Sequence, residues 1–202
     1  MGHGCVADTP ILILAAGRSS RMQGRDKLME LVGGEPLIRR QARAALDAGL
    51  LPYVALPAPD HPRSHALGDL AVTRLYLPGS AEGMGGTLRD GVAALPVCAR
   101  FLVMACDLPE LTSADLSKIA TTDPGEALIV IATSAAGAPG HPVAFDMSLR
   151  PAFAKLHGDA GAKAVVKANR KRIMTVALPG EHATRDLDSP EEWAQWRTNN
   201  AL

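Results

Sequence analysis

Four cations and two hydroxyls crowd one short stretch of this chain, Leu14-Ala15-Ala16-Gly17-Arg18-Ser19-Ser20-Arg21-Met22-Gln23-Gly24-Arg25-Asp26-Lys27. It grows out of an apolar run, Ile11 to Ala16, that reads as a buried strand. Small residues at Ala15, Ala16 and Gly17 let backbone N–H groups come close to an anion. Arg18, Arg21, Arg25 and Lys27 supply charge for phosphate oxygens, so the pattern is one for holding a polyphosphate. Neither of two better-known phosphate loops fits. G-x-x-x-x-G-K-[S/T] would need a glycine at Met22, and the dinucleotide pattern G-x-G-x-x-G would need one at Ser19.

A second apolar run supplies the carboxylate such a loop needs. Phe101 to Ala105 suits a central parallel strand and ends in Cys106-Asp107-Leu108-Pro109. Asp107 therefore belongs at the C-terminal end of a buried strand, where ligands of open α/β sheets gather. A carboxylate facing a phosphate loop suits Mg²⁺, which takes one or two carboxylates together with substrate phosphates. Glu82-Gly83-Met84-Gly85-Gly86-Thr87 approaches a helix N-terminus, a further place for backbone donors to meet a ligand. His61 and His65 stand four apart, but Pro62 lies between them and no third ligand is near, so they do not read as a metal pair.

The elements that must position these residues follow from periodicity and caps. A helix is predicted over Leu37 to Leu50, with Gly49 as its C-terminal cap, after a turn at Gly33-Gly34-Glu35-Pro36. Strands are predicted at Tyr53–Leu56, Val72–Leu77, Leu128–Ala132, Gly140–Phe145 and Arg172–Leu178, and the stretch from Pro57 to Pro62 reads as loop. Further helices are expected through Ala94, after the N-cap Thr112, over Leu149–Leu156, and up to Asn169. Thr133 to Pro139 has the composition of a lid or substrate loop. Ser189 and Glu192 form a capping box with Pro190 at the first helical position, and that last helix carries Trp193 and Trp196 inward. Strands alternating with helices imply an α/β domain with a mainly parallel sheet, its later part forming the second wall of a cleft.

The chain has 202 residues, enough for one large domain spanning 1–202, with 47% apolar residues and only 3% aromatics. Lys plus Arg and Asp plus Glu are both 21, and nothing in this balance suggests a duplex nucleic acid or an anionic membrane as the main partner. Cys5, Cys98 and Cys106 are odd in number and form no C-x-x-C pair, which argues against a disulfide framework and a structural zinc site. With no spanning apolar run and no signal-peptide pattern, a soluble cytoplasmic protein is expected.

The pattern L-A-A-G-x-S-x-R-M-x-x-x-x-K at 14–27 resembles the opening signature of the MobA-like nucleotidyltransferases. Cys106-Asp107-Leu108-Pro109 and Asp186-Leu187-Asp188-Ser189-Pro190-Glu191-Glu192 extend the likeness along almost the whole chain. Within the family the chain is most similar to the molybdenum cofactor cytidylyltransferases. The details are Leu14-Ala15-Ala16-Gly17, Gly140-His141-Pro142-Val143, Asp159-x-Gly161-Ala162-Lys163 and Asp186-x-Asp188. Three features depart from that branch: Gln23 stands where a glycine is usual, Asp26-Lys27 resembles the guanylyltransferase form, and Met84 to Thr87 carries no legible base preference.

The resemblance implies a Rossmann-like three-layer nucleotidyltransferase fold with a small inserted acceptor-side lobe. It implies Mg²⁺-dependent transfer of CMP from CTP to the phosphate of molybdenum-molybdopterin, with loss of pyrophosphate and a recipient molybdoenzyme downstream. By that likeness Lys27 meets the α-phosphate and leaving group and Arg21 the β,γ-phosphates. Leu14, Ala15, Ala16, Gly17, Arg18 and Ser19 line the nucleotide. Gly83 and Thr87 lie beside the base, His141 orients the acceptor, and Asp107 and Asp188 hold the metal. The alternatives are GTP as donor, a sugar or alditol phosphate as acceptor, and a pterin carrier without turnover. The last is a nicotinamide-dependent oxidoreductase, which the missing G-x-G-x-x-G disfavours.

Overall fold

Ile11, Leu12 and Ile13 have no accessible surface at all, which is what a strand covered on both faces demands of its side chains. In the computed structural model, which describes residues 9–200, this strand is β1 (Pro10–Leu14). Cys5 lies outside the described residues. A minimal hairpin of β2 (Leu31–Val32) and β3 (Glu35–Pro36) follows, turned by Gly33 and Gly34 at φ 60° and 81°. The predicted turn is thus a small ladder, because two consecutive left-handed glycines are the geometry of a two-residue hairpin. α1 (Leu37–Asp47) then ends as expected at Gly49 (φ 77°): Gly49 N–H donates to Leu46 and Leu50 N–H to Ala45.

β4 (Leu51–Leu56), α2 (Pro62–Ala66), β5 (Thr73–Tyr76) and α3 (Met84–Ala94) come next, followed by β6 (Arg100–Ala105) and α4 (Ser113–Thr121). The remainder is β7 (Ile129–Thr133), β8 (Pro139–Asp146), α5 (Arg150–Phe153), α6 (Lys163–Ala168), β9 (Ile173–Ala177) and α7 (Pro190–Asn199). α2 begins at Pro62, the last residue of the stretch that reads as loop, in a segment the sequence assigned to no element. Its start, His61-Pro62, is a cap followed by a first-turn proline, and the His61 ring nitrogen accepts from Arg63 N–H.

Seven strands form one sheet in the order β5-β4-β1-β6-β8-β7-β9. β1 pairs in parallel with β4 on one side and β6 on the other, so the strand order reverses at the β1/β6 junction. Leu14 lies opposite Ala105, so the loops leaving β1 and β6 emerge side by side. β8 alone runs antiparallel, between β6 and β7, and its first residues therefore lie at the cleft end of the sheet. The segment expected as an inserted acceptor-side lobe is built onto this sheet. The stretch from Thr133 to Pro139 is a tight connection between β7 and β8, closed by Ser134 N–H to Ala138 and Gly137 N–H to Ser134.

Alternation along the strands sorts the core into two layers. Ile11, Ile13, Leu102 and Met104 meet Leu37, Ile38, Ala42, Leu116, Ile119, Trp193 and Trp196 on one face. Leu12, Phe101 and Val103 meet Leu88, Val92, Phe153 and Val165 on the other. Phe101, Phe145 and Phe153, all the phenylalanines of the chain, form one cluster with ring centroids 5.0 to 5.6 Å apart. The result is three layers, with a mainly parallel sheet between helices.

Candidate functional site

At the cleft end of β1 and β6 the Lys27 ammonium lies 2.5 Å from Asp107 Oδ2 and 2.6 Å from Asp188 Oδ1, and Arg21 reaches the other oxygen of Asp188 at 2.6 Å. Three widely separated motifs, the β1 loop, the β6 loop and the approach to α7, are thereby joined. Burial by itself would lower the Lys27 pKa. Asp107 first and Asp188 second outweigh it, and the ammonium is held above its ordinary value.

Each motif is held by identifiable contacts. Asp107 sits between Cys106, which is buried, and Leu108, whose carbonyl accepts from the Gln41 side-chain amide at 2.6 Å. Gln41 is itself without accessible surface, so α1 braces the β6 loop from below. Asp188 is followed by the predicted capping box: Ser189 accepts from Glu192 N–H, and the Glu192 carboxylate accepts from the N–H groups of Asp188 and Ser189. Upstream, Ala183 takes a hydrogen bond from His141 N–H at 2.8 Å, and Arg185 pairs with Glu110 at 3.0 Å. His182 Nδ1 lies 2.8 Å from Asp115, which also closes the Thr112 capping box of α4.

The β1 loop turns through Gln23, in the left-handed region at φ 53°, and Gly24 at φ 85°. Glycine here is therefore one residue later than the usual pattern, and a side-chain-bearing residue takes the strained position. Met22 is fully buried beneath it, whereas Arg18, Arg21 and Arg25 are exposed. Gly17 is open: a Cβ placed there would meet nothing within 4 Å.

Asp186 was legible in the sequence as part of a D-x-D pattern but carried no role. It joins Asp107 and Asp188 in a group whose ligand atoms lie within 4.8 Å of one another. These are hard oxygen donors, the set that suits a divalent ion of the magnesium or manganese type. Arg63 carried no signal at all. Its side chain is only 3% exposed, and it ties Asp26, Ser19 and the carbonyls of Ala15 and Gly17 together. Burial by itself would raise the Asp26 pKa, but the Arg63 hydrogen bonds and charge outweigh it and hold the carboxyl below its ordinary value. A first-turn proline after His61 was the available signal for α2; the burial of its arginine was not, because arginine is mostly a surface residue.

His141 reaches the same end of the sheet through the antiparallel β8. Its Nδ1–H donates to the Val103 carbonyl at 3.4 Å, and desolvation lowers its pKa despite that carbonyl and the nearby Asp107 charge. The ring is accordingly neutral near pH 7. Gly83 and Thr87 make their contacts elsewhere. The Thr87 hydroxyl donates to the Gly83 carbonyl at 3.0 Å, and a Cβ on Gly83 would lie 2.1 Å from Asp159 Oδ1. Gly85 N–H donates to Gly158 at 2.6 Å, so these glycines let the loop at 157–159 lie against the start of α3.

The comparisons with known proteins agree with this architecture. A model of the MobA-like NTP transferase domain matches residues 11–173. Nicotine blue oxidoreductase of Paenarthrobacter nicotinovorans is 25% identical, over 90% of this chain and 92% of its own. A probable molybdenum cofactor guanylyltransferase of Synechococcus elongatus is 36% identical over 106 residues, 52% of this chain and 53% of its own, so that match spans about half of each. A crystal structure from Mycobacterium tuberculosis H37Rv superposes with a TM-score of 0.80 at 23% identity, covering 95% of this chain and 98% of that one. A second crystal structure of that protein is a complex with manganese. Among the described residues no helix is long and apolar enough to cross a membrane. With the family model covering most of the sheet and both strand-end loops, the chain belongs to the MobA-like NTP transferases.

Proposed function

We propose that this nucleotidyltransferase moves CMP from CTP to the phosphate of molybdenum-bearing molybdopterin, releasing pyrophosphate, with Mg²⁺ as its divalent ion. The observation that carries the reading is the convergence of Lys27, Asp107 and Asp188 beside an open, cationic strand-end loop. The acceptor phosphate attacks the α-phosphorus in line, so the protein supplies positioning and charge rather than a nucleophile. Lys27 serves the α-phosphate and leaving group, and Arg21 the β,γ-phosphates. Gly17, Arg18 and Ser19 line the loop, continuing from Leu14, Ala15 and Ala16. Gly83 and Thr87 belong to the base side. Neutral His141 orients the acceptor without adding charge. Asp107 and Asp188, with Asp186 beside them, would hold the divalent ion. That ion would neutralise charge building on the phosphates.

A second reading keeps the chemistry and takes GTP as donor. It is supported by Asp26-Lys27 and by the guanylyltransferase relatives at 36% identity. The test is calorimetric titration with CTP, GTP, ATP, UTP and NAD⁺, each with excess Mg²⁺, followed by turnover with the molybdenum-loaded pterin. Mg²⁺-dependent CTP binding with turnover supports the cytidylyl reading, and GTP preference moves the protein to the guanylyl one. Pterin binding without turnover would make it a carrier that serves a molybdoenzyme. NAD⁺ binding alone would favour an oxidoreductase, the activity named for the Paenarthrobacter nicotinovorans relative. Asp107→Asn is expected to abolish transfer while the melting transition stays in place, and retained turnover would overturn the metal-ligand role.

A further inference from the structure

Arg63 lies outside every motif, yet its guanidinium sits under the anion loop with all three nitrogens bonded. Nε and Nη2 reach the two oxygens of Asp26 at 2.7 Å each, Nη1 reaches the carbonyls of Ala15 and Gly17 at 2.6 and 2.8 Å, and Nη2 reaches Ser19 Oγ at 3.1 Å. A buried ion pair is weak ground for stability, because desolvation offsets most of its attraction. Orientation of the loop is the better account. In a trans peptide the C=O and the next N–H point in opposite directions, and the sole cis bond among the described residues is His141–Pro142. Fixing the Ala15 and Gly17 carbonyls on Arg63 therefore turns the amides of Ala16 and Arg18 the other way. Arg63 follows β4, which flanks β1 on the side opposite β6, so those amides face the side where Asp107 emerges. The same guanidinium fixes Ser19 and Asp26, and Ser19 Oγ accepts from Lys27 N–H at 3.1 Å, so both ends of the loop share one clamp.

We propose that Arg63 is a positioning residue for the nucleotide's phosphates, presenting the Ala16 and Arg18 amides to them and setting the backbone from which Lys27 projects. This rests on reading 14–27 as the triphosphate loop. A lysine retains the charge but offers no planar fork for five acceptor oxygens at once.

The test measures inorganic pyrophosphate binding by calorimetry in wild type, Arg63→Lys and Arg63→Ala, with the ligand-free thermal melt of each. Arg63→Lys is expected to melt cooperatively while its pyrophosphate Kd rises about tenfold or more, the usual cost of losing an outer-shell partner. In Arg63→Ala, millimolar guanidinium chloride is expected to restore pyrophosphate binding by filling the vacated site, which a merely structural role would not produce. If Arg63→Ala does not fold, Arg63→Lys decides alone. Wild-type affinity in folded Arg63→Lys would overturn the inference and leave the nucleotidyltransfer reading standing. A wild-type protein that binds neither pyrophosphate nor any nucleoside triphosphate would overturn both.

Discussion

Gly17 is kept bare by the cleft and not by the protein around it, since a Cβ there meets nothing within 4 Å and its backbone is not left-handed. Gly17→Ala is accordingly expected to leave the fold as stable as wild type, or to raise stability by about 0.4–1 kcal/mol through the unfolded chain. Affinity for triphosphates should fall because the methyl enters the anion's space. A melt and a pyrophosphate titration on one sample check both halves. Lys27 carries the complementary prediction. Its ammonium occupies the position between Asp107 and Asp188, so a divalent ion must compete with it. Lys27→Met keeps the aliphatic stem and removes the charge. It should bind Mn²⁺ about tenfold more tightly in the absence of nucleotide, as expected for removing one unit charge from a partly buried site, while transfer is lost. Equal or weaker Mn²⁺ binding, measured by electron paramagnetic resonance, would contradict this.

Individual elements decide whether these residues meet at all. β8 runs against its neighbours, and its start delivers Gly140 and His141 to the cleft end of β6. A Cβ on Gly140 would lie 1.9 Å from the Ala183 carbonyl, on the segment that leads to Asp186 and Asp188. Gly140→Ala is therefore expected to cost about 1–3 kcal/mol, the usual penalty for overpacking. It should also weaken divalent-ion binding by pushing Asp188 away from Asp107. The glycine that the sequence assigned to an acceptor-side motif thus has a backbone reason of its own. Gly83 is similar, since it is crowded by Asp159 and not left open like Gly17.

Over the whole molecule, the C-terminal helix closes the structure back onto its beginning. Trp193 is 1% exposed, packs edge-on to Trp196 at 5.9 Å and lies under the Arg197 guanidinium at 5.2 Å, while Arg197 pairs with Glu30 at 2.6 Å. Trp196 donates to Glu110 at 2.9 Å, which joins α7 to the loop after Asp107. Trp193→Ala is expected to cost about 3–5 kcal/mol. For a chain of this size that corresponds to a fall in Tm of roughly 6–20 °C, read by calorimetry. Loss of that anchor should also loosen Asp188, which immediately precedes the helix.

Local chemistry determined much of this protein from its sequence. The β1 strand, the strand ending at Asp107, the Gly49 helix stop and the Ser189–Glu192 capping box all depend on neighbours within a few residues, and the structure places each where its pattern predicts. The His61–Pro62 helix start was also local, but short helices give too little periodicity to stand against a proline-rich background. Three things were decided only by tertiary structure. The antiparallel β8 depends on which edge of β6 is open, which no local pattern encodes. The Lys27–Asp107–Asp188 meeting joins residues 80 and 161 positions apart and needs the sheet order to exist. Arg63 is a charged residue in the interior, and sequence assigns charge to the surface unless partners are known. Its partners, Ala15 to Asp26, lie 37 to 48 residues earlier and meet it only when β4 lies beside β1.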